Sequence, residues 1–337
     1  MNLKKLLVAT AVAAAATSAS ASLSVRDFFA DAALTVDGLG VQGAGSGTLQ
    51  STVASGSTVL KAYLYTPSIW NFSPVQPVTF EGVLLNPASG ITLAPNVNPA
   101  TTVMYDVTSI VKPIIDGGPG GTYNFRLQEM GDNDGSVLVV VYQNAATMGG
   151  AAIVLDGELS TTGDTTQLNF VGPYTSGDFI MSLADSFSYN GPPPTGQVTT
   201  VDVQTSSNPS SRRLTSCAGG NDDSVPPFAA VNGQLITAGG EGDSPTNPDP
   251  NCTVANQDDE LYNLALGNSA NASPFITAGD NFLRLLTLNP SNDDNVFGMF
   301  ITSTFSIENP NPVPEPATLT LLGLGALGLA ALRRRRD

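Results

Sequence analysis

The chain has 337 residues, with 29 acidic and 13 basic side chains, no histidine and a net charge of −16. A hydrophobic content of 41% supports a sizeable core and excludes a disordered chain. Without histidine there is no His-dependent triad, no HExxH metalloprotease and no His-ligated metal centre.

Lys4 and Lys5 form a basic start, Leu6 to Ala16 is an Ala-rich apolar stretch, and Ala19-Ser20-Ala21 fits a small-x-small cleavage pattern. The core is short for a membrane anchor, so residues 1–22 are read as a signal peptide. The Sec machinery and signal peptidase are the partners this implies, with a mature start near Ser22 or Leu23. From Leu23 to Pro312 seven basic side chains stand against 27 acidic ones, which argues against nucleic acid or anionic lipid as a partner.

Gly38-Leu39-Gly40-Val41-Gln42-Gly43 has the letters of a dinucleotide fingerprint, but more glycine follows and no helical pattern, so it reads as a flexible loop. Val59 to Tyr65 and Val78 to Phe80 read as strands. Lys61, inside the first of these, reads as a strand-edge lysine rather than an isopeptide donor. Tyr123, Phe125 and Leu127 alternate with polar residues, as in a half-buried strand. Val137 to Tyr142 is a continuous apolar run, as in a strand covered on both sides. Asp132-Asn133-Asp134-Gly135 lacks the rest of a calcium loop, so it is expected to turn a hairpin between the two.

Ala152 to Leu155, Thr166 to Val171, Asp178 to Leu183 and Gln197 to Gln204 continue the strands. From about Ser206 to Gln257, Ser, Asn, Pro, Gly and Asp dominate, and the stretch reads as a long exposed excursion. It holds both cysteines, Cys217 and Cys252, which are expected to form one disulfide in an oxidising compartment. The sequons Asn251-Cys252-Thr253 and Asn271-Ala272-Ser273 mark exposed loops. Asp258 to Leu264 reads as a short helical turn, and Phe297, Met299, Ile301, Phe305 and Ile307 as a final strand with one buried face.

Many short strands with frequent Gly and Pro define an all-β fold, a β-sandwich or jelly-roll-like domain over residues 23–308. Two acidic clusters, Asp258-Asp259-Glu260 and Asp293-Asp294, supply hard oxygen ligands, and Asp258, Asp259, Glu260, Asp293 and Asp294 are the calcium candidates. The same residue types are also common in solvated turns. No other cofactor is expected.

The C-terminus carries the most specific signal. Asn309-Pro310-Asn311-Pro312 is an extended spacer, prolonged by Val313-Pro314-Glu315-Pro316. Ala317 to Leu332 has no charge and would make a helix of about 24 Å, short for a bilayer but adequate with its flanks. Arg333, Arg334, Arg335 and Arg336 would hold that end in the cytoplasm.

This arrangement resembles the PEP-CTERM sorting signal of Gram-negative bacteria, over residues 309–337. The resemblance implies recognition by exosortase, a membrane-embedded cysteine transpeptidase acting at Pro314-Glu315-Pro316 while the transmembrane helix holds its substrate. It further implies removal of the tail and delivery to the cell surface or exopolysaccharide matrix. The body is similar to bacterial surface β-sandwich proteins in the blocks Lys61 to Tyr65, Tyr105 to Ser109, Gly121 to Tyr123 and Gly135 to Tyr142. Asp258 to Tyr262 and Asn289 to Asn295 resemble blocks of PEP-CTERM proteins.

The function expected is therefore that of an exported structural or adhesive protein of the surface or biofilm matrix, not an enzyme. One alternative is a calcium-assisted carbohydrate-binding module, although Trp70 is the only tryptophan for sugar stacking. The other is an extracellular hydrolase working through two carboxylates.

Overall fold

The computed structural model describes residues 23–40, 44–69, 73–93, 101–159, 163–186, 199–218, 236–245, 260–288 and 295–310. These residues form mostly strand, in four sheets whose paired strands all run antiparallel. Sheet I has the order β3 (Ser46–Val53), β9 (Gly121–Glu129), β5 (Val78–Phe80), β6 (Val83–Leu85). Sheet II has β2 (Ala33–Leu39), β10 (Ser136–Gln143), β4 (Thr58–Pro67), β8 (Thr102–Asp106), β7 (Ile91–Thr92). Sheet III has β1 (Ser24–Ala30), β11 (Ala151–Asp156), β19 (Asn295–Ser303) and β13 (Phe179–Ser186). Two short strands, β16 (Ile236–Ala238) and β17 (Leu261–Asn263), share the free edge of β13. Sheet IV has β12 (Asp164–Asn169), β18 (Phe282–Leu288), β14 (Thr199–Thr205), β15 (Arg212–Ala218).

The sheets stack in the order I to IV through three cores. Leu49, Phe80, Phe125 and Leu127 of sheet I meet Leu64, Leu138 and Val140 of sheet II. Tyr65, Val137, Val139 and Val141 on the other face of sheet II meet Val154, Ile236, Phe297 and Phe300 of sheet III. Ile153, Leu155, Met181, Met299 and Ile301 behind them meet Leu168, Val201, Val203, Leu283 and Leu285 of sheet IV. Side chains alternate across a strand, so a strand of an inner sheet buries side chains on both faces and favours apolar residues at successive positions. That is why β10 and β11 read as unbroken apolar runs, whereas β3 and β9 in an outer sheet alternate. Each fully buried Val or Phe contributes on the order of 1.5–3 kcal/mol.

One helix, α1 (Thr108–Ile115), closes an end of the core between sheets I and II with Val111 and Ile115. It is tied to β4 by side chains: Thr108 Oγ1 accepts from the Ala62 amide at 3.0 Å and Asp116 Oδ1 from the Val59 amide at 2.7 Å. Lys112 Nζ donates back to the Val59 carbonyl at 2.6 Å.

Several sequence expectations change. Four stacked sheets stand where one sandwich was read. The hairpin between 123–128 and 137–142 does not form: β9 pairs with β3 and β5, while β10 pairs with β2 and β4 in the facing sheet. The intervening Asn133 and Asp134 are buried, and Asn133 clasps Gln76 through both its amide atoms, so the chain crosses between layers there. The last strand has two buried faces and ends at Ser303, with Phe305 and Ile307 lying beyond it. Residues 261–263 form a strand rather than a helical turn, because β13 offers an open edge to pair with. The excursion from 206 contains β15 and the fully buried β16, both paired into sheets.

Candidate functional site

Among the described residues, three polar clusters and a separate Glu129–Ser136 pair interrupt the cores. The first bridges sheets II and III. A bulge in β1 between Val25 and Asp27 places Arg26 out of the regular register. Arg26 Nε bonds Asp156 Oδ2, which also accepts from Tyr65 Oη at 2.9 Å, while Tyr63 Oη donates to Asp27. Burial lifts the Asp156 carboxyl above its ordinary range against the pull of Arg26. Burial also opposes the Arg26 charge, but the bond to Asp156 and the charge of that carboxylate, with Tyr65 and Tyr63, together outweigh it and raise the guanidinium pKa. Tyr65 is fully buried and tilts against Phe297 and Phe300 with ring centroids 5.9 and 5.6 Å away. A hollow of about 200 Å³ lies beside this network, lined by Val25, Arg26, Asp27, Phe28 and Asn309.

The second cluster lies where the turn after β16 reaches over β2. Gly240 lies so close to the Val36 carbonyl that a Cβ would overlap it. The Glu241 carboxylate accepts from the Thr52 amide at 2.6 Å and from its hydroxyl at 2.9 Å, joining sheet III's loop to sheet I. Nearby Asp37 is 4% exposed and accepts from the Gln50 amide. Burial, with the charges of Glu241 and Asp243 added, pushes its pKa up to about 8. The turn walls a groove of about 340 Å³ floored by Leu34, Val36, Tyr142 and Phe300.

The third cluster is at the end of β13. Asp185 is fully buried, and burial together with the Glu260 charge pushes its pKa well above the carboxylate range. Glu260 and Thr237, also fully buried, stand beside it. In the N-terminal half Glu129 is buried likewise and is pushed up to about 8, with Ser136 Oγ at 3.1 Å as its partner.

Of the calcium candidates, Glu260 is described and lies in the third cluster, while Asp258, Asp259, Asp293 and Asp294 lie outside the described residues. The Cys217 backbone is part of β15; Cys252, and with it the expected disulfide, lies outside them. Val313, Pro314, Glu315, Pro316 and Arg333 to Arg336 also lie outside, as do the signal peptide and Trp70. Lys61 pairs on the surface with Asp106 at 2.6 Å. Sequence reasoning missed Arg26, Asp37, Asp156 and Asp185. The one legible sign was a carboxylate ending an apolar stretch, as Asp156 does after Ala151–Leu155 and Asp185 after Phe179–Ala184, which only Ser182 interrupts.

No described helix is long and apolar enough to cross a membrane. No curated protein matches the chain. Among solved structures, the major capsid protein P2 from bacteriophage PM2 aligns with 84% of this chain and all of its own at 11% identity. The TM-score of 0.19 is too low to define a shared fold. Residues 312–336 match the family model of the PEP-CTERM protein-sorting motif. That motif implies export, membrane-anchored sorting and processing by exosortase, and makes the chain a PEP-CTERM sorting domain-containing protein.

Proposed function

We propose that this protein is a structural, adhesive component of the cell surface or exopolysaccharide matrix, with no catalytic role. The body over residues 23–308 is the delivered part, between a cleaved signal peptide and the sorting tail. The observation that carries this reading is the sorting motif at residues 312–336.

The outer faces of the stack support it. On sheet I, Gln50 Nε2 donates to Asn124 Oδ1 and the Thr52 and Thr122 hydroxyls meet, both at 2.9 Å. On sheet IV, Arg284 reaches Gln167 at 2.7 Å and Gln204 at 3.3 Å, and Arg213 pairs with Asp202 at 2.8 Å. Such ladders of amide, hydroxyl and charged groups across adjacent strands suit a hydroxyl-rich polymer, whose own groups both donate and accept.

The test is fractionation of producing cells, with mass spectrometry of the mature C-terminus, in the presence and absence of exosortase. A chain ending near Pro314 to Pro316 in the surface or matrix fraction is expected only when the enzyme is present. An intact tail in the same fraction of both strains would remove the sorting half of the reading. Unchanged aggregation and matrix retention after gene deletion would remove the structural half.

A further inference from the structure

The free edge of sheet III ends in an arrangement of oxygens that the core alone does not explain. In the register of β13 and β16, Asp185 stands opposite Thr237. On the other half of that edge Ser182 stands opposite Leu261, and the Leu183 amide donates to the Glu260 carbonyl at 3.0 Å. Glu260 is therefore across from Leu183. Gly239 passes so close to the Glu260 carbonyl that a Cβ would not fit, and its amide bonds the Leu183 carbonyl at 3.1 Å. Backbone bonds thus hold the ends of both short strands against residues 183–185.

Opposed residues of an antiparallel pair share a face, and so do residues two apart along a strand. Asp185, Thr237 and Glu260 consequently face the side of Leu183 and Tyr262, which is the core between sheets III and IV. All three side chains are 0% exposed. Among the described residues, both carboxylate oxygens of Asp185 and the hydroxyl of Thr237 have no hydrogen-bond partner.

An ionised carboxylate buried without a counter-charge is costly, and a second acid beside it adds repulsion. The deficit can be met in two ways: a shared proton, or a hard cation that takes carboxylate and hydroxyl oxygens together. A shared proton serves the carboxyls alone and leaves the Thr237 hydroxyl, fully buried on the same face, still without a partner among the described residues. Calcium uses all three side chains, with water completing its shell of about six to eight oxygens.

We propose that Asp185, Thr237 and Glu260 form a calcium site at the end of the core between sheets III and IV. The site needs no surface role for the protein, and its test is separable from one. Asp258 and Asp259 precede Glu260 in the chain, but they lie outside the described residues and are assigned no part.

The experiment is thermal unfolding of the full chain in detergent, with calcium added after treatment with a chelator. For an extracellular-type affinity near 10⁻⁴ M, about 10 mM calcium should raise the melting temperature by roughly 4 °C. The rise should vanish in Asp185→Asn. It should also shrink in Thr237→Val, which keeps the shape of a side chain whose hydroxyl has no partner among the described residues and so tests the site even if the first variant fails to fold. No rise in the native chain, or an equal rise in Thr237→Val, would overturn the site. A more stable Asp185→Asn together with a calcium-insensitive native chain would assign the pair to proton sharing instead.

Discussion

The Tyr65 hydroxyl of sheet II donates to the Asp156 carboxylate of sheet III at 2.9 Å, the same oxygen that Arg26 holds. This is a fully buried link between the two halves of the stack, and it sits in the core with Phe297 and Phe300. Its bulk and its polar tip have separate consequences.

Tyr65→Phe should keep the packing and lose only the hydrogen bond. A loss of about 1–2 kcal/mol in denaturant unfolding is expected, because Asp156 retains Arg26. Arg26→Met should cost more, on the order of 3 kcal/mol, since it leaves the Asp156 carboxylate buried with only a tyrosine. Equal losses from the two changes would show that the ion pair contributes nothing beyond the tyrosine.

The pH dependence of stability follows from Asp37 and Glu129. Each has a native pKa raised to about 8, from ordinary values of 3.8 and 4.5. Between those limits the native state binds protons that the unfolded chain has released, so stability falls as pH rises and levels off above the native value. The melting temperature should therefore be higher at about pH 5 than at about pH 8. Asp37→Asn, which can still accept from the Gln50 amide, should gain a few kcal/mol at about pH 9 and almost nothing at about pH 4. Calorimetry across that range checks both statements.

Gly240→Ala should destabilise the chain by roughly 2 kcal/mol, because the added methyl would overlap the Val36 carbonyl. The turn carrying Glu241 would be displaced, and with it the bonds to Thr52. Faster amide exchange at Thr52 is the accompanying signature. Protection at Thr52 equal to that of the native chain would refute the close approach.

In producing cells, replacing Pro314, Glu315 and Pro316 by alanine should leave the full-length chain in the inner membrane. Intact-mass analysis of membrane and surface fractions checks this. Delivery of the same mature form to the surface would show that the processing step reads another part of the tail.

Strand content was legible because alternation and β-branched runs are local properties: Tyr123 to Gln128 reads as half-buried, as the structure has it, and Val137 to Tyr142 as buried on both faces, which holds for Val137 to Val141 while Tyr142 is half-buried. Pairing was not legible. Either run could close a hairpin through a loop containing Asp132 to Gly135, yet each finds its partners dozens of residues away. The same limit hid the sites. Glu260 stood out among acidic neighbours, but Asp185 looked like any strand-end carboxylate until Thr237 and Glu260 were brought to its face.

The tail is the opposite case. A Val-Pro-Glu-Pro motif, a charge-free apolar run and four arginines form a signal read in order along the chain, so sequence alone determines it. The stack of four sheets, the Tyr65–Asp156 link and the oxygen cluster at Asp185 were decided only by tertiary structure. Burial and counter-charge depend on what lies across a core, and in this chain the residues across the core are far away in sequence.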